Sequence, residues 1–164
     1  MTDFLLQSQF ELTLDGKNRL TIPARFRDPF RAGLYLVRSF DVPAVGIETK
    51  ADYAEFVRAS LAGRHPLDAT TRNIERSLSS AASPADLDGQ GRVTISGRLL
   101  EFASITGRDV MLVGSGRRFE LWDPAAWEAY QPQLQEAMVQ ISGNIGGGAG
   151  AGGAAFPGPG GPGA

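Results

Sequence analysis

One twelve-residue phrase occurs twice in this chain, and that duplication constrains the fold more than any other feature. Residues 15–26 read Asp-Gly-Lys-Asn-Arg-Leu-Thr-Ile-Pro-Ala-Arg-Phe, and residues 88–99 read Asp-Gly-Gln-Gly-Arg-Val-Thr-Ile-Ser-Gly-Arg-Leu. The copies lie 73 positions apart and share six of twelve residues. Leu20/Val93 and Phe26/Leu99 exchange one apolar residue for another. Two copies imply two repeats of one structural unit, each presenting the same polar pattern. A duplicated surface suits a repetitive ligand better than a small substrate, which needs one asymmetric pocket.

Each repeat predicts the same order of elements. A strand over 4–14 alternates Phe10, Leu12 and Leu14 against Glu11 and Thr13. Asp15-Gly16 marks a tight reversal, because Gly tolerates positive φ and Asp bonds its own turn. A second strand over 19–22 follows, then a short helix over 24–30 opened by Pro23, with Pro29 near its end. Strands over 34–39 and 45–48 lead into a helix whose start, Thr49-Lys-Ala-Asp52, resembles a capping box. A polar helix over 67–79 and a small-residue connector over 79–85 join the copies. The second copy repeats the plan: a strand ending at Leu87, the Asp88-Gly89 turn, a strand over 92–95, a Ser96-capped helix over 97–103, and strands over 110–113 and 119–122. Asp123-Pro124 then opens a final helix, which Pro132 should kink or end. The domain reading is a first unit at 1–66, a linking helix and connector at 67–84, a second unit at 85–141 and a tail at 142–164. That tail holds about half of the chain's 21 glycines and reads as disordered.

Setting the tail aside leaves roughly 140 of the 164 residues, enough for one compact domain or two tightly joined subdomains. No apolar run approaches the roughly 18 residues that span a bilayer. With no cysteine there is no disulfide or thiolate metal site. The expected location is the cytoplasm. The formal net charge of −2 argues globally against nucleic acid, yet charge placement matters more than the sum. From Asp15 to Arg31 there are five cations (Lys17, Arg19, Arg25, Arg27, Arg31) against two anions. From Asp88 to Arg108 there are three (Arg92, Arg98, Arg108) against two.

The two Asp-x-x-x-Arg turns, each followed by an apolar-Thr-Ile strand and a short helix, together with the Phe119-Glu-Leu-Trp-Asp123 strand that leads into a Trp/Tyr helix, resemble the MraZ family of bacterial transcription regulators. The resemblance covers about residues 4–135. It implies an α+β fold of tandem AbrB-like swapped β-hairpin units, with short and long helices around a small barrel-like β core. It also implies a homo-oligomeric ring of eight or twelve subunits, associated with the nucleoid. Such a ring binds repeated boxes in double-stranded DNA of its own promoter and usually represses its own division and cell-wall operon. Where relatives often carry a basic Gly-containing stretch ahead of the first strand, this chain has Asp-Phe-Leu-Leu-Gln-Ser-Gln at 3–9.

The candidate DNA-contacting residues are Lys17, Asn18, Arg19, Arg25, Arg27 and Arg92. A planar guanidinium at the base of a projecting turn can read guanine O6/N7 or clamp phosphate. Lys17 suits phosphate and Asn18 a base edge. Arg25 and Arg27 alternatively form a solvated helix face. Asp15, Gly16, Asp88 and Gly89 are read as the turn scaffold. Gln90 brings no charge to the second tip, so the first unit is expected to dominate binding. Arg38, Arg117 and Arg118 are read as solvated or intersubunit, and Trp122 and Trp127 as core or subunit interface. Gly114-Ser-Gly116 lacks the Gly-Lys-Ser/Thr ending of a phosphate loop and reads as a hairpin turn. His65, the only histidine, has no cysteine or catalytic partners in the sequence. No metal, cofactor or enzymatic activity is expected. The alternative is a protein-interaction module, antitoxin-like or a ring scaffold. The doubled unit and the nearly chargeless tail disfavour it.

Overall fold

In the computed structural model of the protein, which describes residues 5–147, the outer strands of each repeat take their partners from the other repeat. β1 (Gln9–Thr13) pairs antiparallel with β7 (Asp109–Gly114), and β5 (Ala82–Ala85) pairs with β3 (Leu34–Arg38). The local hairpins join β3 to β4 (Val45–Thr49) and β7 to β8 (Phe119–Trp122). Pairing of β4 with β8 completes a six-stranded antiparallel sheet in the order β1-β7-β8-β4-β3-β5. Two short strands, β2 (Arg19–Thr21) and β6 (Arg92–Thr94), form a separate two-stranded ribbon. The core expected to be barrel-like is therefore an open sheet capped by a ribbon.

The registers reveal a pseudo-two-fold axis. Leu20 faces Val93 in the ribbon, and these are the same position of the duplicated phrase. In the sheet the axis passes through Gly46 and Glu120. Reversing the strand order exchanges the repeats.

Period-2 alternation decides what each sheet face buries. Leu34, Leu36, Val45, Ile47, Leu112, Phe119 and Leu121 point to one face, where Leu20 and Val93 of the ribbon, with Ile22 and Ile95 just beyond its strands, join the same core. The opposite face carries Val37, which packs with Tyr53 and Ala81. These two residues come from α1 (Lys50–Leu61) and α2 (Ala69–Ala81). The α1 start is closed as its sequence predicts: Thr49 Oγ1 accepts the Asp52 N–H at 3.0 Å, and Asp52 Oδ2 accepts the Thr49 hydroxyl at 2.6 Å. Ser96 caps α3 (Gly97–Phe102), and Asp123 Oδ2 accepts the Ala126 N–H at 3.1 Å at the start of α4 (Pro124–Gly147). Residues through Trp127 belong to one compact unit, and α4 from Glu128 onward belongs to a second.

Several expectations are corrected. The first strand begins at Gln9, not near residue 4, because Ser8 takes φ 75° and Leu6 makes only an isolated bridge to Gly116. The helix over 24–30 is two 3-10 turns, Ala24–Phe26 and Asp28–Phe30. Pro29 has no N–H with which to close an α-helical bond to the Arg25 carbonyl. The connector over 79–85 is the last turn of α2 followed by β5. Pro84 is tolerated there because β5 is an edge strand. Pro132 does not end the final helix: α4 runs through it with the ring exposed, which removes one helical N–H without stopping the chain's helical path. The helix also extends through residues 142–147, into the stretch assigned to the tail. The rest of that stretch, 148–164, lies outside the described residues.

Leu20 is fully buried on the pseudo-axis. Leu20→Ala should lower stability by about 2–5 kcal/mol, read as a lower urea midpoint at unchanged m-value. An effect below 1 kcal/mol would show that the ribbon does not pack on the sheet in solution.

Candidate nucleic-acid interface

The two Asp-x-x-x-Arg turns have the same internal geometry. Asp15 N–H donates to the Arg19 carbonyl at 3.1 Å, and Asn18 N–H donates to the Asp15 carbonyl at 3.0 Å. In the second turn Asp88 N–H reaches the Arg92 carbonyl at 2.9 Å, and Gly91 N–H reaches the Asp88 carbonyl at 3.0 Å. One carboxylate oxygen in each turn gathers two backbone N–H groups. Asp15 Oδ1 accepts from Lys17 at 2.9 Å and from Arg19 at 3.0 Å; Asp88 Oδ1 accepts from Gln90 at 2.9 Å and from Arg92 at 3.0 Å. The other oxygen holds the arginine: Arg19 Nε donates to Asp15 Oδ2 at 2.6 Å, and Arg92 Nε donates to Asp88 Oδ2 at 2.7 Å.

The residues that need a left-handed backbone are Asn18 (φ 57°) and Gly91 (φ 77°), which are equivalent positions, rather than Gly16 and Gly89. Asn is among the few residues with a side chain that tolerate this region. The conformation turns the Asn18 carbonyl to the Ile95 N–H at 2.8 Å and the Gly91 carbonyl to the Ile22 N–H at 2.9 Å. Each turn is thus stitched to the strand exit of the other repeat. Gly16 has Arg108 Nη2 3.0 Å from where a Cβ would stand, the mobile end of an exposed side chain, whereas Gly89 faces open space.

This stitching puts both arginines on one surface. Leu20 and Val93 point into the core, so Arg19, Thr21, Arg92 and Thr94 occupy the outer face of the ribbon. Arg19 lies opposite Thr94, and Arg92 opposite Thr21. The two arginines are therefore diagonal neighbours, about 7–8 Å apart at the backbone. Their side chains are 27% and 25% exposed. Among the described residues their terminal guanidinium nitrogens make no hydrogen bond. The Arg19 N–H, then the Arg19 guanidinium and the Lys17 N–H, hold the Asp15 carboxyl down at about 2, against an ordinary 3.8. The same bonds, led by the Arg92 N–H, lower Asp88.

The other sequence candidates separate. Lys17 and Asn18 sit exposed at the first tip. Arg25 lies off the ribbon, its guanidinium carbon 4.8 Å from the Phe26 ring centre and 5.6 Å from that of Phe10. Arg27 donates Nε to the Ile22 carbonyl at 2.7 Å and packs over Gly91, beside the second turn rather than the first. Two cations that sequence spacing does not single out also arrive here: Arg108 beside Gly16, and Arg31 in the hollow that Arg27 shares with Asp88, Gly89 and Gly91. Both count toward the local charge of their own repeat, but spacing does not place them at the turn of the opposite one.

Arg118 is neither solvated nor free. It pairs with Glu120 at 2.9 Å and Glu48 at 3.4 Å on the sheet face away from the ribbon, where burial pushes the Glu48 carboxyl up. Trp122 and Trp127 are buried and in edge contact at 5.3 Å. Among the described residues no group of His, Cys, Asp or Glu could hold a metal ion, and no helix is long and apolar enough to cross a membrane.

A family profile described as "MraZ protein, putative antitoxin-like" matches residues 78–141. Among curated relatives, the transcriptional regulator MraZ of Roseiflexus sp. (strain RS-1) is 38% identical over 123 residues, covering 73% of this chain and 82% of the relative. That of Mycolicibacterium smegmatis is 36% identical over 124 residues, 75% and 84% of the two chains. That of Mycobacterium avium (strain 104) is 35% identical over 130 residues, 79% and 88% of the two chains.

The lowered Asp15 carboxyl has a definite pH signature. A group held below its unfolded pKa stabilises the fold fully above that value and loses its contribution as pH falls through the folded one. The turn should therefore be insensitive from pH 8 to 5 and open between about 3.8 and about 2. Amide chemical shifts of Lys17 and Arg19 followed by NMR should titrate with a midpoint near the lower value. A midpoint at the ordinary carboxylate value would show that the clamp does not form in solution.

Proposed function

We propose, from the premise that the chain belongs to the MraZ family of transcriptional regulators, that it acts by laying the β2–β6 ribbon into the major groove of double-stranded DNA. The family is one of regulators rather than enzymes. The observation that carries the reading is the pair of Asp-held arginines on one outward ribbon face. A two-stranded ribbon fits the major groove, and a guanidinium presenting two free nitrogens matches guanine O6 and N7 or a phosphate. Lys17 takes a phosphate and Asn18 a base edge at the tip; Arg25 and Arg27 contact the flanking backbone. Asp15, Gly16, Asp88 and Gly89 shape the turns, and no cofactor takes part. The repeats are AbrB-like units, at 1–66 and 85–141, joined through 67–84.

Two arginines per ribbon make a weak site, so affinity comes from many ribbons held in register. We assign the protein to a homo-oligomeric ring of eight or twelve subunits in the cytoplasm, at the nucleoid. The ring binds repeated boxes in its own promoter and represses its own division and cell-wall operon. Linking modest sites raises affinity through effective concentration, without new contacts. Self-association is supported by α4. There Leu134, Met138, Ile141 and Ile145 are 40%, 60%, 51% and 74% exposed, at the alternating four- and three-residue spacing of a helix–helix seam.

Arg19→Ala should weaken binding to a multi-box duplex from upstream of the gene by about 5- to 150-fold, since a bidentate contact is worth about 1–3 kcal/mol, while the oligomer stays intact. Fluorescence anisotropy measures the first and light scattering the second. Parental affinity in the variant would make the turn structural only. Met138→Glu with Ile141→Glu should reduce particle mass in light scattering and weaken multi-box binding far more than single-box binding. An unchanged mass would remove α4 from the assembly.

A further inference from the structure

We infer that Arg108 and Arg31 are DNA-phosphate contacts, each completing the turn of the opposite repeat, so that one chain carries two contact sets of equal rank. This rests on the ribbon reading above and goes beyond it in both residues and symmetry. In sequence the turns look unequal, with Lys17 at the first tip and Gln90 at the second. In space each is supplied from across the pseudo-axis. Arg108 precedes β7 of the second repeat, and its carbonyl accepts the Leu14 N–H at 2.8 Å. That bond carries its guanidinium to within 3.0 Å of the point where a side chain on Gly16 would begin. On the other side Arg27 lies over Gly91, and Arg31 lines the same hollow with Asp88 and Gly89.

The two supplies are not copies of one another. Leu100 stands in the second repeat where Arg27 stands in the first, and by the β3/β7 register Ala32 stands where Arg108 does. Different positions thus bring cations to the same place in each half. Core packing does not ask for this, because Arg31 and Arg108 are exposed. Arg31 is paired only with Asp28 at 2.9 Å, with both side chains over 70% exposed. Such a pair holds its partner weakly, so the guanidinium can transfer to a phosphate. Arg27, whose Nε is held by the Ile22 carbonyl, anchors the hollow. A cation set beside a groove-reading ribbon meets the phosphate walls, which fix register without reading sequence.

The test compares Arg108→Ala, Arg31→Ala, Arg92→Ala and Arg19→Ala with Arg58→Ala, an α1 arginine paired to Glu55 as a control. Binding of the full chain to its upstream duplex and to a scrambled duplex is measured across a salt series. Melting temperature and particle mass verify folding. Arg108→Ala and Arg31→Ala should each weaken both duplexes alike and reduce the slope of log K against log salt by about 0.9 per engaged chain. Arg92→Ala should lose discrimination between the duplexes to the same degree as Arg19→Ala. Parental slopes in Arg108→Ala and Arg31→Ala, with binding lost in Arg19→Ala, would overturn this inference and leave the ribbon reading standing. A loss confined to one of the two would overturn the equal rank of the turns. Parental binding in Arg19→Ala as well would defeat the ribbon reading itself.

Discussion

β1 leaves its own repeat to hydrogen-bond with β7, and β5 leaves its own to hydrogen-bond with β3. This exchange is the constraint on which the other features rest. A single repeat would retain one hairpin, from β3 to β4 or from β7 to β8, and expose the backbone groups of its first strand and of its half of the ribbon. Isolated two-stranded hairpins are marginal in water. Exchange converts two such fragments into a six-stranded sheet with one continuous core beneath the ribbon. It also fixes the turns relative to each other, because the Asn18 and Gly91 carbonyls are tied across the axis to Ile95 and Ile22. The spacing of the two arginines is then a property of the core and not of a mobile loop.

On that platform the carboxylate clamp settles what the arginines can do. Each Asp spends one oxygen on the backbone and the other on Nε, which orients the guanidinium and leaves its two outer nitrogens without a hydrogen bond among the described residues. An arginine free to rotate would lose side-chain entropy on meeting a base or phosphate, and much of that loss is already taken at folding here. The same clamp lowers the local positive charge.

Much of this was legible residue by residue. The duplicated phrase announced two units, and Thr49, Ser96 and Asp123 cap the helices their local chemistry predicts. The alternation of Phe10 and Leu12 marks the face of β1 that packs toward the core. Alternation states which way a side chain points but not which strand lies beside it, so the exchange itself is invisible in the residues alone. A strand ending at Leu87 is legible ahead of the second turn, but β5 runs Ala82–Ala85, inside the stretch read as a connector. Its Ala-Ser-Pro-Ala has little intrinsic preference for a strand and is recruited by β3. At the site, the Asp and Arg of each turn could be picked out from their spacing. The Asp-Gly pair points to Gly16 as the left-handed residue, whereas Asn18 fills that role with a side chain. Arg108 could not be placed at all, since 92 positions separate it from the glycine it adjoins.

The exchange also resolves how a chain of net charge −2 can present a surface fit for DNA. Along each sheet strand, neighbouring side chains point to opposite faces. Glu48 and Glu120 therefore point away from the ribbon because Ile47, Phe119 and Leu121 point toward it. There they meet Arg118, which offsets part of their charge in a half-buried cluster. Asp52 closes the start of α1 on that same far side, and Asp15 and Asp88 are each matched by the arginine they orient. The carboxylates at these positions are held by local pairing or lie a sheet's thickness from the ribbon. Interactions over such a distance through solvent approach the Debye length of about 8–10 Å and are strongly screened. Net charge measures the whole chain, whereas the alternation of a six-stranded sheet sorts that charge by face. The outward polarity of the ribbon follows from the same period-2 pattern that builds the core.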